Sequence, residues 1–410
     1  MLKRLLAALG CAACIALAGC SFIWPDTGSS QTGSDTFSVP AGQLREYQDK
    51  WCYQRLDGRL QKAYSAVYAA VVQGFSEDES VTITDTDKGE KREFQGVQIA
   101  LPEPLLGEEE AKKLYAAFTR DNPQFFFIGN VYGFDGHQAG GTSRFTIFKL
   151  TYIMDAAQRR QARAELNAAA AQLAAAVPED ASAFETELAL HDALAARCQY
   201  DALAADTPSP AETDPYAFTA YGAIVQGEAV CEGYARAMQF LLQRADISAT
   251  VVTGFDENQQ PHMWNLVTID GRNYHLDVTW DDSGDSIRHT YFNLTSRDIF
   301  LTHSLDDENM GIDTCTATEA NYFIRTGAYF TTYSLEDIVR VVARQVDAGA
   351  GIIELRFAPD KLRNGLLFIQ QPDWFSSTVA ARLEEKTMWP YDYEVDQTYG
   401  IITILKKAEE

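Results

Sequence analysis

Basic residues are scarce in this 410-residue chain: 34 Lys and Arg stand against 58 Asp and Glu, a formal net charge of −24. A nucleic-acid binder needs a basic footprint on its surface, so this balance argues against nucleic acid as a partner. Long hydrophobic runs are also missing. The longest, Leu5 to Ala18, follows Lys3 and Arg4 and is too short and wrongly flanked to span a bilayer. Of the seven cysteines, Cys11 and Cys14 fall within the amino-terminal apolar run, while Cys52, Cys198, Cys231 and Cys315 are widely spaced with no CxxC pair among them, which speaks against a structural zinc site. The acidic group Asp281, Asp282 and Asp285 lacks the ligand spacing and terminal glutamate of an EF-hand, so it reads as a solvated turn. No internal repeat is present. The hydrophobic content of 46% is that of an ordinary globular protein with room for two or three domains.

The most informative stretch begins at Cys231. From Ala229 to Ala245 the apolar residues Val230, Tyr234, Ala237, Met238, Leu241, Leu242 and Ala245 recur at three- and four-residue intervals, the spacing of an amphipathic helix. Cys231 falls in its first turn, where free backbone N–H groups and the positive end of the dipole favour a thiolate. Downstream, Met263–Ile269 and Tyr274–Trp280 flank Asp270-Gly271, the signature of a two-residue hairpin turn. That turn pairs Ile269 with Arg272, Trp264 with Asp277 and His262 with Thr279. His262 and Asp277 become diagonal neighbours on one face, roughly 7–8 Å apart at the backbone. A thiol, a histidine and a carboxylate so arranged are the parts of an activated cysteine nucleophile. A buried structural cysteine is the plainer reading of Cys231 alone. His275 shares the predicted face and reads as a substitute base or, more simply, as a packed histidine. His191 reads as a surface or core residue.

The segments Ala229–Ala235 (AVCEGYA), His262–Val267 (HMWNLV), Tyr274–Asp282 (YHLDVTWDD) and Tyr291–Thr295 (YFNLT) together resemble the bacterial transglutaminase-like superfamily, a branch of the papain-like cysteine enzymes. The resemblance implies an α+β core in which the helix bearing Cys231 packs on an antiparallel sheet bearing His262 and Asp277. It also implies roles: Cys231 as nucleophile, His262 as general base and acid, Asp277 as the orienting carboxylate. Trp264, Asn265 and Tyr234 would shape the substrate site, and His303 and Asn293 would serve as structural hydrogen-bonding residues. No cofactor and no metal are expected. Cross-linking relatives commonly follow the cysteine with an aromatic residue. Glu232 stands there in this chain, which weakens that version and leaves hydrolysis of peptide or isopeptide bonds through a thioester. Two other readings stay open: a protein-glutamine acyl transferase and a non-catalytic surface binding module.

The expected organisation is a signal over 1–20, a tether over 21–43, an N-terminal α/β region over 44–180, the transglutaminase-like core over 181–312 and a small C-terminal α/β module over 320–410. Leu17-Ala18-Gly19-Cys20 resembles a bacterial lipoprotein signal, which would make Cys20 the lipidated first residue of an exported, membrane-anchored protein. The plainer alternative is an ordinary secretory signal. The expected partners are a protein or peptide substrate, such as cell-wall peptide, and the membrane through the lipid. Asp121–Ile128 reads as a turn followed by a buried strand. The alternation after Tyr329 suggests a ferredoxin-like module.

Overall fold

The computed structural model describes residues 47–84, 90–206, 214–282, 284, 286–306, 311–382 and 391–406. The signal, the tether and Cys20 lie outside these described residues.

Helix α1 (Gly58–Gln73) begins at Asp57, whose side chain accepts the N–H groups of Arg59 and Leu60, a conventional acidic cap. Strands β1 (Ser80–Thr84) and β2 (Lys91–Leu106), helix α2 (Glu108–Asp121), and strands β3 (Ile128–Ala139) and β4 (Thr142–Tyr152) follow. The strands form an antiparallel sheet in the order β1-β2-β4-β3. Asp121–Ile128 differs from its expectation. Pro123–Phe125 is a 3-10 turn, and β3 starts only at Ile128. Phe125, Phe126 and Phe127 are buried, but as the packed turn between α2 and the sheet. A run of three aromatics satisfies burial in either conformation, so periodicity does not discriminate.

Helices α3 (Ala156–Ala174) and α4 (Ala183–Arg197) each open with a capping box, Asp155 with Gln158 and Ser182 with Glu185. Alanine-rich α3 carries one fully buried arginine. Arg159 donates to the carbonyls of Met154 (2.7 Å), Glu77 (2.6 Å), Phe75 (3.0 Å) and Gly74 (3.4 Å), while its guanidinium lies against the Tyr152 ring. Its charge is dispersed over four backbone acceptors, one of which, Gly74, also takes the Glu77 N–H.

Two-residue strands β5 (Gln199–Tyr200) and β6 (Glu228–Ala229) pair in parallel and lead to helix α5 (Cys231–Arg244). Gly233 in its first turn is a steric requirement: a Cβ there would stand 2.4 Å from the Ala217 carbonyl oxygen. Strands β7 (Ala249–Phe255), β8 (Pro261–Ile269) and β9 (Arg272–Leu276), short helix α6 (Val278–Asp281) and strand β10 (Ser304–Leu305) complete the central part. The antiparallel sheet runs β10-β7-β8-β9, with α5 packed on it. Asp270 (φ 50°) and Gly271 (φ 74°) are both left-handed, as a type I′ hairpin demands, and Ile269 pairs with Arg272.

The last sheet contains β11 (Tyr329–Phe330), helix α7 (Leu335–Asp347), β12 (Ile352–Phe357), helices α8 (Leu362–Ile369) and α9 (Pro372–Arg382), β13 (Tyr391–Asp396) and β14 (Ile401–Lys406). Its order is β11-β12-β14-β13, with β11 and β12 parallel and adjacent and β13-β14 a terminal hairpin. The ferredoxin-like expectation is therefore corrected, since that fold separates consecutive strands joined by a helix. Element spacing alone does not say which strand a crossover returns beside. One apolar cluster runs from Val252, Trp264 and Leu266 into Phe330, Leu355, Phe357 and Ile402. No helix among the described residues is long and apolar enough to cross a membrane.

Replacing Arg159 by Met should lower the unfolding free energy by about 3 kcal/mol or more, because several buried carbonyls lose their donor. Arg160→Met, at an exposed position one residue on, should stay within about 0.5 kcal/mol. Urea denaturation of both variants checks this, and equal midpoints would refute the role given to Arg159.

Candidate active site

Cys231 is the first residue of α5, preceded by Val230, which offers no side-chain cap. The first N–H groups of the helix are thus not occupied by a capping side chain, and they surround the thiol. Among the four described cysteines only Cys231 is partly exposed; Cys52, Cys198 and Cys315 are buried, and all four are free thiols. Glu232 turns along the helix to pair with Arg236 (2.8 Å), whose guanidinium also holds the Thr119 carbonyl (2.7 Å).

The Nε2–H of His262 donates to Asp277 Oδ2 at 2.7 Å. The nearby Cys231 thiol also favours the charged form of the imidazole. Burial opposes charging of this ring. The Asp277 carboxylate and the thiol override it and raise the histidine to about 10.

Asp277 arrives by a route that differs from the hairpin expectation. Strand pairing stops at Leu276 opposite Asn265, so the pairs Trp264–Asp277 and His262–Thr279 do not form. Asp277 instead caps α6: its Oδ1 accepts the N–H groups of Thr279 (3.0 Å) and Trp280 (3.3 Å). A carboxylate at this position gains more from orphan helix donors than from continuing a ladder. The side chain still reaches His262. Burial works against its ionised form, yet His262 and His303 hold it well below the usual carboxylate range.

His303 was expected only as a hydrogen-bonding residue, and its partner is the site itself. Its Nε2–H donates to the same Asp277 oxygen at 3.1 Å, and its Nδ1 is hydrogen-bonded to the Thr302 hydroxyl at 2.8 Å. Thr302 in turn shares a hydrogen bond with the Tyr399 hydroxyl (3.1 Å), just before β14. A polar relay thus runs from the third sheet to His262. Nothing in the local pattern around His303 or Tyr399 announces this, because both arrive from distant sequence.

Trp264 is fully buried, lies nearly parallel to the His262 ring at 6.0 Å, and meets His303 edge-on at 5.0 Å. Trp280 closes the other side, 5.6 Å from His262 and 4.6 Å from His303. Asn265, on the opposite face of β8 from Trp264, donates to the carbonyls of Ala235 (2.9 Å) and Thr250 (3.4 Å), tying α5 to the sheet. Buried Tyr234 donates to Asp282 at 2.5 Å. Both hold elements of the site together from beneath. Half-exposed Tyr200, at the end of β5, stands on the Cys231 side, and burial followed by the nearby thiol pushes its phenol up to about 12.

His275 is fully buried and both nitrogens are spoken for. Trp264 donates to Nδ1 (3.0 Å), and Nε2 bonds Ser296 (3.1 Å). Burial, then the charge of His303, drives it down to about 3, so it is a neutral packing residue. His191 is a core residue. Asn293 donates to buried Glu187 of α4 (2.6 Å). Asp281 corrects the solvated-turn reading, being fully buried with Oδ1 accepting the Tyr291 N–H at 2.9 Å.

Residues 168–278 match the family model described as the transglutaminase-like superfamily, a span that contains Cys231, His262 and Asp277. The chain therefore carries a transglutaminase-like domain within a mixed α+β fold. A solved structure described as a TGase is similar at 15% identity and TM-score 0.25, over 46% of this chain and 52% of its own. A candidate cysteine protease from Cytophaga hutchinsonii is similar at 16% identity and TM-score 0.23, over 36% and 61%. A candidate protease from Parabacteroides distasonis is similar at 11% identity and TM-score 0.21, over 35% and 30%. The chain spans about half the length of the first of these structures. Among curated proteins nothing matches.

His262 has a folded-state value of about 10 against ~6.5 when unfolded, so its contribution to stability is full below ~6.5 and disappears as the pH climbs to about 10. The gap in urea midpoint between the protein and His262→Gln should therefore narrow steadily from pH 6 to pH 10. A gap that widens over that range would contradict the assignment. Replacing His303 by Phe removes one donor from a buried carboxylate and should cost about 1–3 kcal/mol. A urea midpoint unchanged from the parent's would refute that role for His303.

Proposed function

We propose that this chain is an exported cysteine-nucleophile enzyme that cleaves peptide or isopeptide amide bonds through a thioester. One observation carries the reading: a partly exposed thiol at an uncapped helix start stands against a histidine that a buried carboxylate holds protonated. A charged imidazole beside a cysteine is the usual means of activating it as a nucleophile. The thiolate attacks the amide carbonyl, and the Cys231 backbone N–H faces the oxygen on which negative charge develops. His262 gives its proton to the departing amine as the C–N bond breaks. The neutral imidazole then takes a proton from water as the hydroxide adds to the thioester, and collapse releases the carboxylic acid and the cysteine thiolate beside the re-formed imidazolium. Throughout, Asp277 keeps the ring oriented and stabilises its cationic form.

The transglutaminase-like match over Cys231, His262 and Asp277 supports the same chemistry. The proposed setting is the outer face of a cell membrane, with lipid on Cys20 as the anchor, and the proposed substrate is protein or cell-wall peptide. The strongly acidic composition fits cationic, amine-bearing substrates better than nucleic acid.

Incubation with a glutamine-containing protein and a labelled primary amine separates hydrolysis from transfer. The expected result is release of ammonia or peptide without incorporation of label, abolished in Cys231→Ala. Label incorporated only when Cys231 is present would make the protein an acyl transferase. No turnover of any amide, with Cys231 alkylated no faster than a free thiol at pH 7, would leave a binding module.

A further inference from the structure

Some distance from Cys231 along the polar network, a second group of side chains is arranged in a way that the proposed chemistry does not use. His191 of α4, its neighbour Asp192, and His289 from the segment after α6 converge on one point. Asp192 Oδ1 lies 2.9 Å from His191 Nδ1 and 3.0 Å from His289 Nε2, and the three donor atoms all fall within 4.8 Å of one another. The geometry points to a site for a divalent transition-metal ion, zinc first, held by His191 Nδ1, His289 Nε2 and an Asp192 carboxylate oxygen, with a water completing the set.

Two observations carry this. The first is spacing. A tetrahedral zinc with bonds of ~2.0–2.1 Å sets its ligand atoms about 3.3 Å apart, a few tenths of an ångström beyond the two Asp192 distances. The Asp192 side chain, 42% exposed, is free to make that small adjustment and opens the point to solvent.

The second is what stands behind each imidazole. The far nitrogen of His191, Nε2, faces Asp281 Oδ2 at 3.3 Å, and that of His289, Nδ1, donates to Glu354 Oε2 at 2.7 Å. Both carboxylates are themselves fixed and buried, Asp281 by the Tyr291 N–H and Glu354 by the His289 N–H (3.2 Å). A carboxylate behind each histidine is how metal-binding imidazoles are aimed and made more basic. The His289 ring is further locked by stacking on Tyr322 at 3.9 Å and 8°.

Such an ion would clip α4, the segment after α6 and strand β12 together. Because Asp281 belongs to the short helix that Asp277 caps, the clip would also fix the seat of the catalytic-type carboxylate. The assignment does not depend on the hydrolase reading, and its readouts are independent of activity.

The purified full-length chain, stripped with chelator and exchanged into metal-free buffer, is titrated with zinc chloride by calorimetry, and bound metal is counted by mass spectrometry after gel filtration. One equivalent should bind and raise the melting temperature. Asp192→Asn and His289→Gln should each weaken binding by at least ~10–100-fold. His262→Gln, which disrupts the similar His262–Asp277–His303 group, should bind zinc as the parent does. Failure to hold one equivalent would overturn the assignment. So would binding that survives both Asp192→Asn and His289→Gln, or that is lost in His262→Gln. Should either ligand variant prove misfolded before metal is added, the parent loaded with cobalt(II) chloride decides: an absorption spectrum without the strong visible bands of a four-coordinate site sinks the assignment.

Discussion

A carboxylate with almost no access to water is the constraint around which the site is organised. Asp277 is 1% exposed and ionised, so every lone pair needs a donor, and it has four: two backbone N–H groups and two imidazoles. An unpaired charge in that position would be too costly for the fold to tolerate. Meeting its demands brings together the start of β8, the end of β9, α6 and the turn before β10. The histidine facing the thiol is positioned as a by-product of neutralising this one group.

The surroundings divide the labour. On one face of β8, Trp264 and Trp280 wall the two histidines with aromatic surface, excluding water and strengthening each electrostatic contact between them. On the other, Asn265 uses both its amide hydrogens on backbone carbonyls, one of them in the cysteine helix. Thiol and imidazole therefore ride on rigid elements whose separation is set by ordinary packing. The flexible part of the machinery is reduced to the thiol's own rotation.

Local sequence rules carried the site further than they carried the fold. Asp270-Gly271 sets the register that places His262 on its strand, and three- and four-residue spacing reveals the cysteine helix to within two residues at its start. The end of β9 was misread because alternation in Tyr274–Trp280 persists while a side-chain cap takes over the backbone donors at Asp277. The Phe125–Phe127 run was misread because burial alone does not choose between strand and turn. Strand order in the last sheet and the partners of His303, His289 and Tyr399 were not legible at all. They depend on contacts between residues tens of positions apart, for which no periodicity exists.

The relay from Tyr399 through Thr302 and His303 to Asp277 has a temporal meaning as well as a spatial one. Synthesis runs from the amino end, so Cys231, His262 and Asp277 are all present long before residue 399 is made. A growing chain can fold its helix and hairpin yet lacks the outermost support of the carboxylate until residue 399 has been made. The surroundings of Asp277 are thereby completed well after Asp277 itself.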